Sequence, residues 1–176
     1  PDILTGITTG TINNVSCFGG SDGKAWASAS NGAAPYTYNW SDNTIGDTLR
    51  NVAPGTYYIT ITDAVQCKVR DTVVITEPTA LTLNPLSTNI QCNGQSTGSV
   101  DLQPAGGTTP YTALWNDSNT DVQRLNMAAG NYSVTLTDAN SCTQTATITL
   151  TQNTAISLTE THTNVSCNGA NDGTAT

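Results

Sequence analysis

The sequence predicts an all-β protein built as tandem immunoglobulin-like antiparallel β-sandwich domains of about 75 residues each. Three observations carry that prediction. First, Cys17, Cys92 and Cys167 recur at intervals of 75 residues, and Cys67 with Cys142, Trp40 with Trp115, Tyr57 with Tyr132 and Asp63 with Asp138 keep the same interval. A fixed period of this length marks a tandem array. Second, apolar residues alternate with Thr, Ser and Asn over short runs, the pattern of half-buried strands. Third, Gly, Asn, Asp and Pro punctuate those runs every 8–12 residues or so, as in a sandwich. Repeats 1-78 and 79-153 are complete, and 154-176 begins a third.

The strands follow in order. Leu81 to Leu83 opens the unit, as does Ile156 to Leu158 in the third copy. Ala25 and Ala27, matched by Val100 and Leu102, form the next strand. Tyr36, Tyr38 and Trp40, matched by Tyr111, Ala113 and Trp115, form a third, each run following a Pro. Asp121 to Leu125 is a short fourth. Tyr57 to Thr62 and Asn131 to Thr137 alternate cleanly, with β-branched Thr suited to the outer face. Thr143 to Thr151 closes the unit, with Ala146, Ile148 and Leu150 on one face. Gly19-Gly20-Ser21-Asp22-Gly23, Asn31-Gly32, Gly106-Gly107 and Pro54-Gly55 supply the turns. The joints near Glu77-Pro78-Thr79 and Gln152-Asn153-Thr154 are short, which predicts semi-rigid coupling of neighbouring units.

Trp40 and Trp115 are read as core residues of the third strand. Tyr57 and Tyr132 stand where a tyrosine corner belongs, the hydroxyl tying its strand to the loop before it. In this register Trp26 points outward and is the candidate contact for a sugar or a neighbouring chain.

Each complete unit has two cysteines, Cys17 with Cys67 and Cys92 with Cys142. Counting strands as alternately up and down places both cysteines of a unit at the same end of the sandwich. The expectation is therefore two disulfides inside the units, each closing a loop worth about 4 kcal/mol in the chain-entropy model. Cys167 would lack a partner in the partial third unit. Disulfides imply an oxidising setting outside the cytoplasm.

The net charge of −8 and the scarcity of Lys and Arg make nucleic acid and anionic membranes poor partners. No apolar run is long enough for a spanning helix. The chain stops inside a repeat and reads as an excerpt of a longer protein, so the lack of a targeting signal in it says nothing about localisation. With one histidine, His162, no Ser-His-Asp or Cys-His set can be drawn within a unit, and no enzyme is expected. No metal site or cofactor is expected either. Calcium is the one ion with candidate ligands, since Asp42 and Asp117 are equivalent, as are Asp63 and Asp138, and Asp22 and Asp172 sit beside Gly, but the dense Asp-x-Asp spacing of a calcium loop is missing. Asp47-Thr48-Leu49 and Asp71-Thr72-Val73 weakly resemble a bacterial O-glycosylation pattern.

The order Cys17-Phe18-Gly19-Gly20-Ser21-Asp22-Gly23, Pro35-Tyr36, Trp40, Pro54-Gly55-Thr56-Tyr57, Thr62-Asp63-Ala64 and Cys67 resembles the SprB repeat. So does Cys92-Asn93-Gly94, Pro110-Tyr111, Trp115, Gly130-Asn131-Tyr132, Asp138 and Cys142 in the second unit, and Cys167 to Gly173 in the third. Phe18, Thr97 and Val65-Gln66 depart from that pattern. The resemblance implies a repeat region of a very large extracellular, cell-surface adhesin of Bacteroidota, serving gliding motility and exported by the type IX secretion system. Its partners would be neighbouring repeats, the gliding or secretion machinery, and extracellular glycans. A carbohydrate- or protein-binding Ig-like module is the alternative.

Overall fold

The computed structural model describes residues 4–176, so the first three residues of the expected unit 1-78 lie outside the described residues. The first unit has six strands: β1 (Gly6–Asn13), β2 (Gly23–Ser30), β3 (Thr37–Trp40), β4 (Thr48–Val52), β5 (Gly55–Thr62) and β6 (Lys68–Ile75). They form two three-stranded antiparallel sheets, β1-β2-β4 and β3-β5-β6. No residue among those described is helical. The inward residues of both sheets meet in one core, in which Ala25, Leu49, Ile59 and Ile61 are fully buried and Trp40 nearly so. Alternation explains it: in β5, Ile59 and Ile61 face in while Tyr58 faces solvent.

The sheets meet along one side, where β1 runs in the same direction as β6. Thr9 Oγ1 donates to Asp71 at 2.7 Å, and Val15 N donates to Thr76 O at 2.9 Å. In the second unit the corresponding bridge, Ile90 with Gln152, is parallel.

The passage from β3 to β4 sets this direction. After Trp40 the chain folds back in a tight loop, with Trp40 N donating to Thr44 O and Gly46 N to Tyr38 O. It then crosses to the other sheet, and β4 runs in the same sense as β3. One traverse of an up-and-down count is therefore missing.

The second unit repeats the plan with β7 (Thr82–Leu83), β8 (Leu86–Thr88), β9 (Gly98–Asp101), β10 (Pro104–Ala105), β11 (Thr112–Trp115), β12 (Gln123–Met127), β13 (Gly130–Thr137) and β14 (Thr143–Leu150). Here β7 and β8 together replace β1, and β9 and β10 replace β2. Two residues cause the interruption. Pro85, at the position of Gly10, removes a ladder donor. Gln103 adopts φ 42°. The expected strand at Leu81 to Leu83 is thus cut to two residues.

Arg124 stands where the first unit has buried Leu49. Its guanidinium lies 4.9 Å from the centroid of the Trp115 ring and pairs with Asp117 at 2.6 Å, while Leu125 faces out. That pairing is the main reason the Asp117 carboxyl sits below its ordinary value.

The third copy forms only β15 (His162–Thr163) and β16 (Thr174–Ala175), paired with each other. Ile156 and Leu158 were expected to open a strand. They form none and are exposed, because residues 154–176 supply no opposing sheet to cover them.

Candidate functional site at the junction between units

Two turns, one from each unit, form the junction. The first carries Cys142 and is organised by Asp138. This carboxylate is 5% exposed, yet its Oδ1 accepts from Asn140 N (2.9 Å) and Cys142 N (2.8 Å), and its Oδ2 from Thr108 N (2.8 Å). Burial pushes its pKa up, but the three backbone donors outweigh that and hold it below the usual carboxylate value. Gly107, at φ 59°, is required beside it, since a Cβ there would lie 2.7 Å from Asp138 Oδ2. Asp63 builds the same turn around Cys67, accepting from Val65 N, Cys67 N and Ala33 N.

The second turn carries Cys17. Asn14 Oδ1 accepts from Thr76 N, and Glu77 accepts from Gly19 N, so the end of β6 fixes the loop. Asp22 adds bonds from Ser16 N and Ser16 Oγ at 2.9 and 2.6 Å, and these lower its pKa. The second unit repeats the first two contacts around Cys92, through Asn89 with Thr151 N and Gln152 with Gly94 N.

The structure joins Cys17 to Cys142, with Cα atoms 5.7 Å apart, while Cys67, Cys92 and Cys167 are free. This corrects the expected pairs Cys17–Cys67 and Cys92–Cys142. Because β1 and β6 run the same way, Cys17 lies past the end of β6 and Cys67 before its start. The eight residues of β6 at about 3.3 Å each separate them by roughly 26 Å, beyond the reach of a disulfide. The up-and-down count failed at the β3–β4 crossing. Beside the bond, Asn140 Nδ2 donates to Ser16 O at 3.0 Å. Cys17, Phe18, Ala80, Leu81 and the turn from Ser141 to Gln144 line the groove between the units.

The other sequence-stressed residues lie apart from this junction. Trp40 and Trp115 are 3% and 2% exposed, each donating its indole N–H to a backbone carbonyl, Gly46 and Asp121 respectively. The Tyr57 and Tyr132 hydroxyls donate to Ala53 O (2.8 Å) and Ala128 O (3.0 Å), four residues upstream. Trp26 is outward on β2 and lies across Gly10, where a Cβ would come 2.7 Å from its indole nitrogen. An open groove of about 650 Å³ is on the outer face of the other sheet, near Tyr58, Arg70 and Asp71. Among the described residues, no three His, Cys, Asp or Glu side chains converge as a metal site. Among the described residues no helix is long and apolar enough to cross a membrane, which says nothing of a β-barrel.

Fold and junction define a class: a head-to-tail array of immunoglobulin-like sandwiches. Within it, the SprB repeat family model matches twice, at residues 9–45 and 86–120, once in each complete unit. None of the curated proteins matches it. Among solved structures, it is similar to a C-terminal 282-residue fragment of intimin in complex with the translocated intimin receptor's intimin-binding domain. Identity is 17%, TM-score 0.43, with 84% of this chain and 64% of that chain covered. It is also similar to extracellular domains 3–5 of Drosophila OTK, at 16% identity, TM-score 0.44, and 86% and 63% coverage. The chain thus spans less than two thirds of either. A biofilm-associated protein BSP domain is similar at 18% identity and TM-score 0.28, covering 85% of this chain and 30% of that one.

Proposed function

We propose that this chain is part of the stalk of a very large secreted cell-surface adhesin, acting in surface attachment and gliding motility after export by the type IX secretion system. The two SprB repeat matches support the adhesin setting. The single observation that carries the stalk role is the head-to-tail junction, locked by Cys17–Cys142. A head-to-tail contact that does not close on itself propagates into a filament. The acidic, Thr-rich surface favours solubility over self-association. The role is mechanical rather than catalytic, and it needs no cofactor.

Antibody against these two units, applied to intact cells that make the protein, is expected to label the surface, and blocking export by the secretion system is expected to remove the label. Label that appears only after permeabilisation would sink the reading. Glycan or protein binding is a second reading, favoured by the outward position of Trp26. It predicts array binding that is lost in Trp26→Ala.

A further inference from the structure

Cys67 and Cys92 sit in the same built turns as the two bonded cysteines, yet they are free and exposed. The Asp63 turn reproduces the Asp138 turn bond for bond. Cys67 N donates to Asp63 Oδ1 at 2.8 Å, as Cys142 N does to Asp138, and Gln66 and Ser141 have φ of 69° and 67°. The Cys92 loop reproduces the Cys17 loop, with Gln95 N on Cys92 O matching Gly20 N on Cys17 O. The groove beside Cys92, lined by Asn93, Ala155 and Ile156, is the counterpart of the one formed by Phe18, Ala80 and Leu81. Each is about 440 Å³. What the Cys92 groove lacks is the turn of a following unit.

We propose that Cys67 and Cys92 are half-sites of the same inter-unit bond. Cys92 takes the second cysteine of a complete third unit, and Cys67 takes the first cysteine of a unit placed ahead. The partner in each case is another copy of this unit. Each bond forms when two thiols transfer two electrons and two protons to an oxidised dithiol, such as glutathione disulfide. That disulfide is cleaved to two thiols as the new S–S bond forms. Asn140 has no counterpart in unit one, where Val65 stands, so the bond there rests on the cysteine and its turn alone.

The consequence is a ladder rather than a string. Only 25 residues separate Cys67 from Cys92. In a long array, two covalent tracks would each advance two units for 25 residues of chain, which reach at most about 85 Å when extended. An unlinked unit that unfolds releases about 250 Å. In such an array β2 to β5 of each unit lie off the load path, and only the segment holding β6 and the joint can be drawn out.

The test inserts a second copy of residues 79–153 directly after residue 153, with Thr145→Ser in that copy as a mass tag. The protein is refolded in glutathione disulfide and mapped without reduction. The unaltered chain has three free thiols. The proposal requires that number to stay at three although two cysteines were added, with Cys92 linked to the tagged peptide. Cys92→Ser in the long chain should raise the count by one. A count of five overturns the proposal, since the added unit would then have made no bond. A count of one, with bonds inside the units, also overturns it. The outcome does not depend on whether the protein is an adhesin.

Discussion

Asp138 shows how a single side chain sets the junction. A carboxylate out of water is unfavourable unless donors surround it, and here three backbone N–H groups do so while aiming Cys142 at the neighbouring unit. Asp138→Ala leaves those donors without an acceptor and should cost unit two about 3 kcal/mol, read as a lower urea midpoint. Because the folded pKa lies below the unfolded value, the carboxylate stabilises fully above the unfolded value. That contribution is lost as pH falls through the folded pKa. Wild type should therefore lose stability below about pH 4, and the Asp138→Ala chain should show a shallower acid dependence. Parallel acid profiles would refute this. The tyrosine hydroxyls contribute less: Tyr132→Phe removes one hydrogen bond to Ala128 O and should cost about 1 kcal/mol by the same measurement.

At the scale of elements, the units differ most in the sheet that carries Trp26. Unit one has two unbroken eight-residue strands, β1 and β2, whereas unit two breaks both, at Pro85 and at Gln103. Amide exchange should accordingly be faster across β7 to β10 than across β1 and β2, since short ladders open locally at lower cost. Equal protection would contradict the difference in strand length. The opposite sheets are alike, β13 and β14 pairing over eight residues just as β5 and β6 do. Truncating the core there, by Trp40→Ala, should cost about 3–5 kcal/mol, seen as unit one unfolding at lower denaturant than unit two.

For the whole molecule, the bond between Cys17 and Cys142 closes a loop of 125 residues that contains most of both cores. In the chain-entropy model this is worth about 5 kcal/mol. Non-reducing peptide mapping of the chain should find that one linked pair and three free thiols. Reduction should lower the thermal midpoint and let the units reorient, visible as a longer maximum dimension in small-angle scattering. A linked pair inside either unit would contradict the head-to-tail joint.

Periodicity and alternation, both local, determined much of this protein without a structure: the 75-residue repeat, the sandwich, the inward Trp40 and Trp115, and the outward Trp26. A period needs only counting, and a side chain's face follows from its parity along a strand. Arg124 in the place of Leu49 escaped the same reading, since an arginine takes such a position only by stacking its guanidinium on a ring and finding Asp117 in space. Which cysteines meet was also beyond parity. It depends on the single crossing from β3 to β4, which reverses no direction and so puts the two cysteines of each unit at opposite ends. Only the tertiary structure decides that, because a disulfide reports distance between ends of the fold, and strand count alone does not say to which sheet, or in which sense, the chain returns.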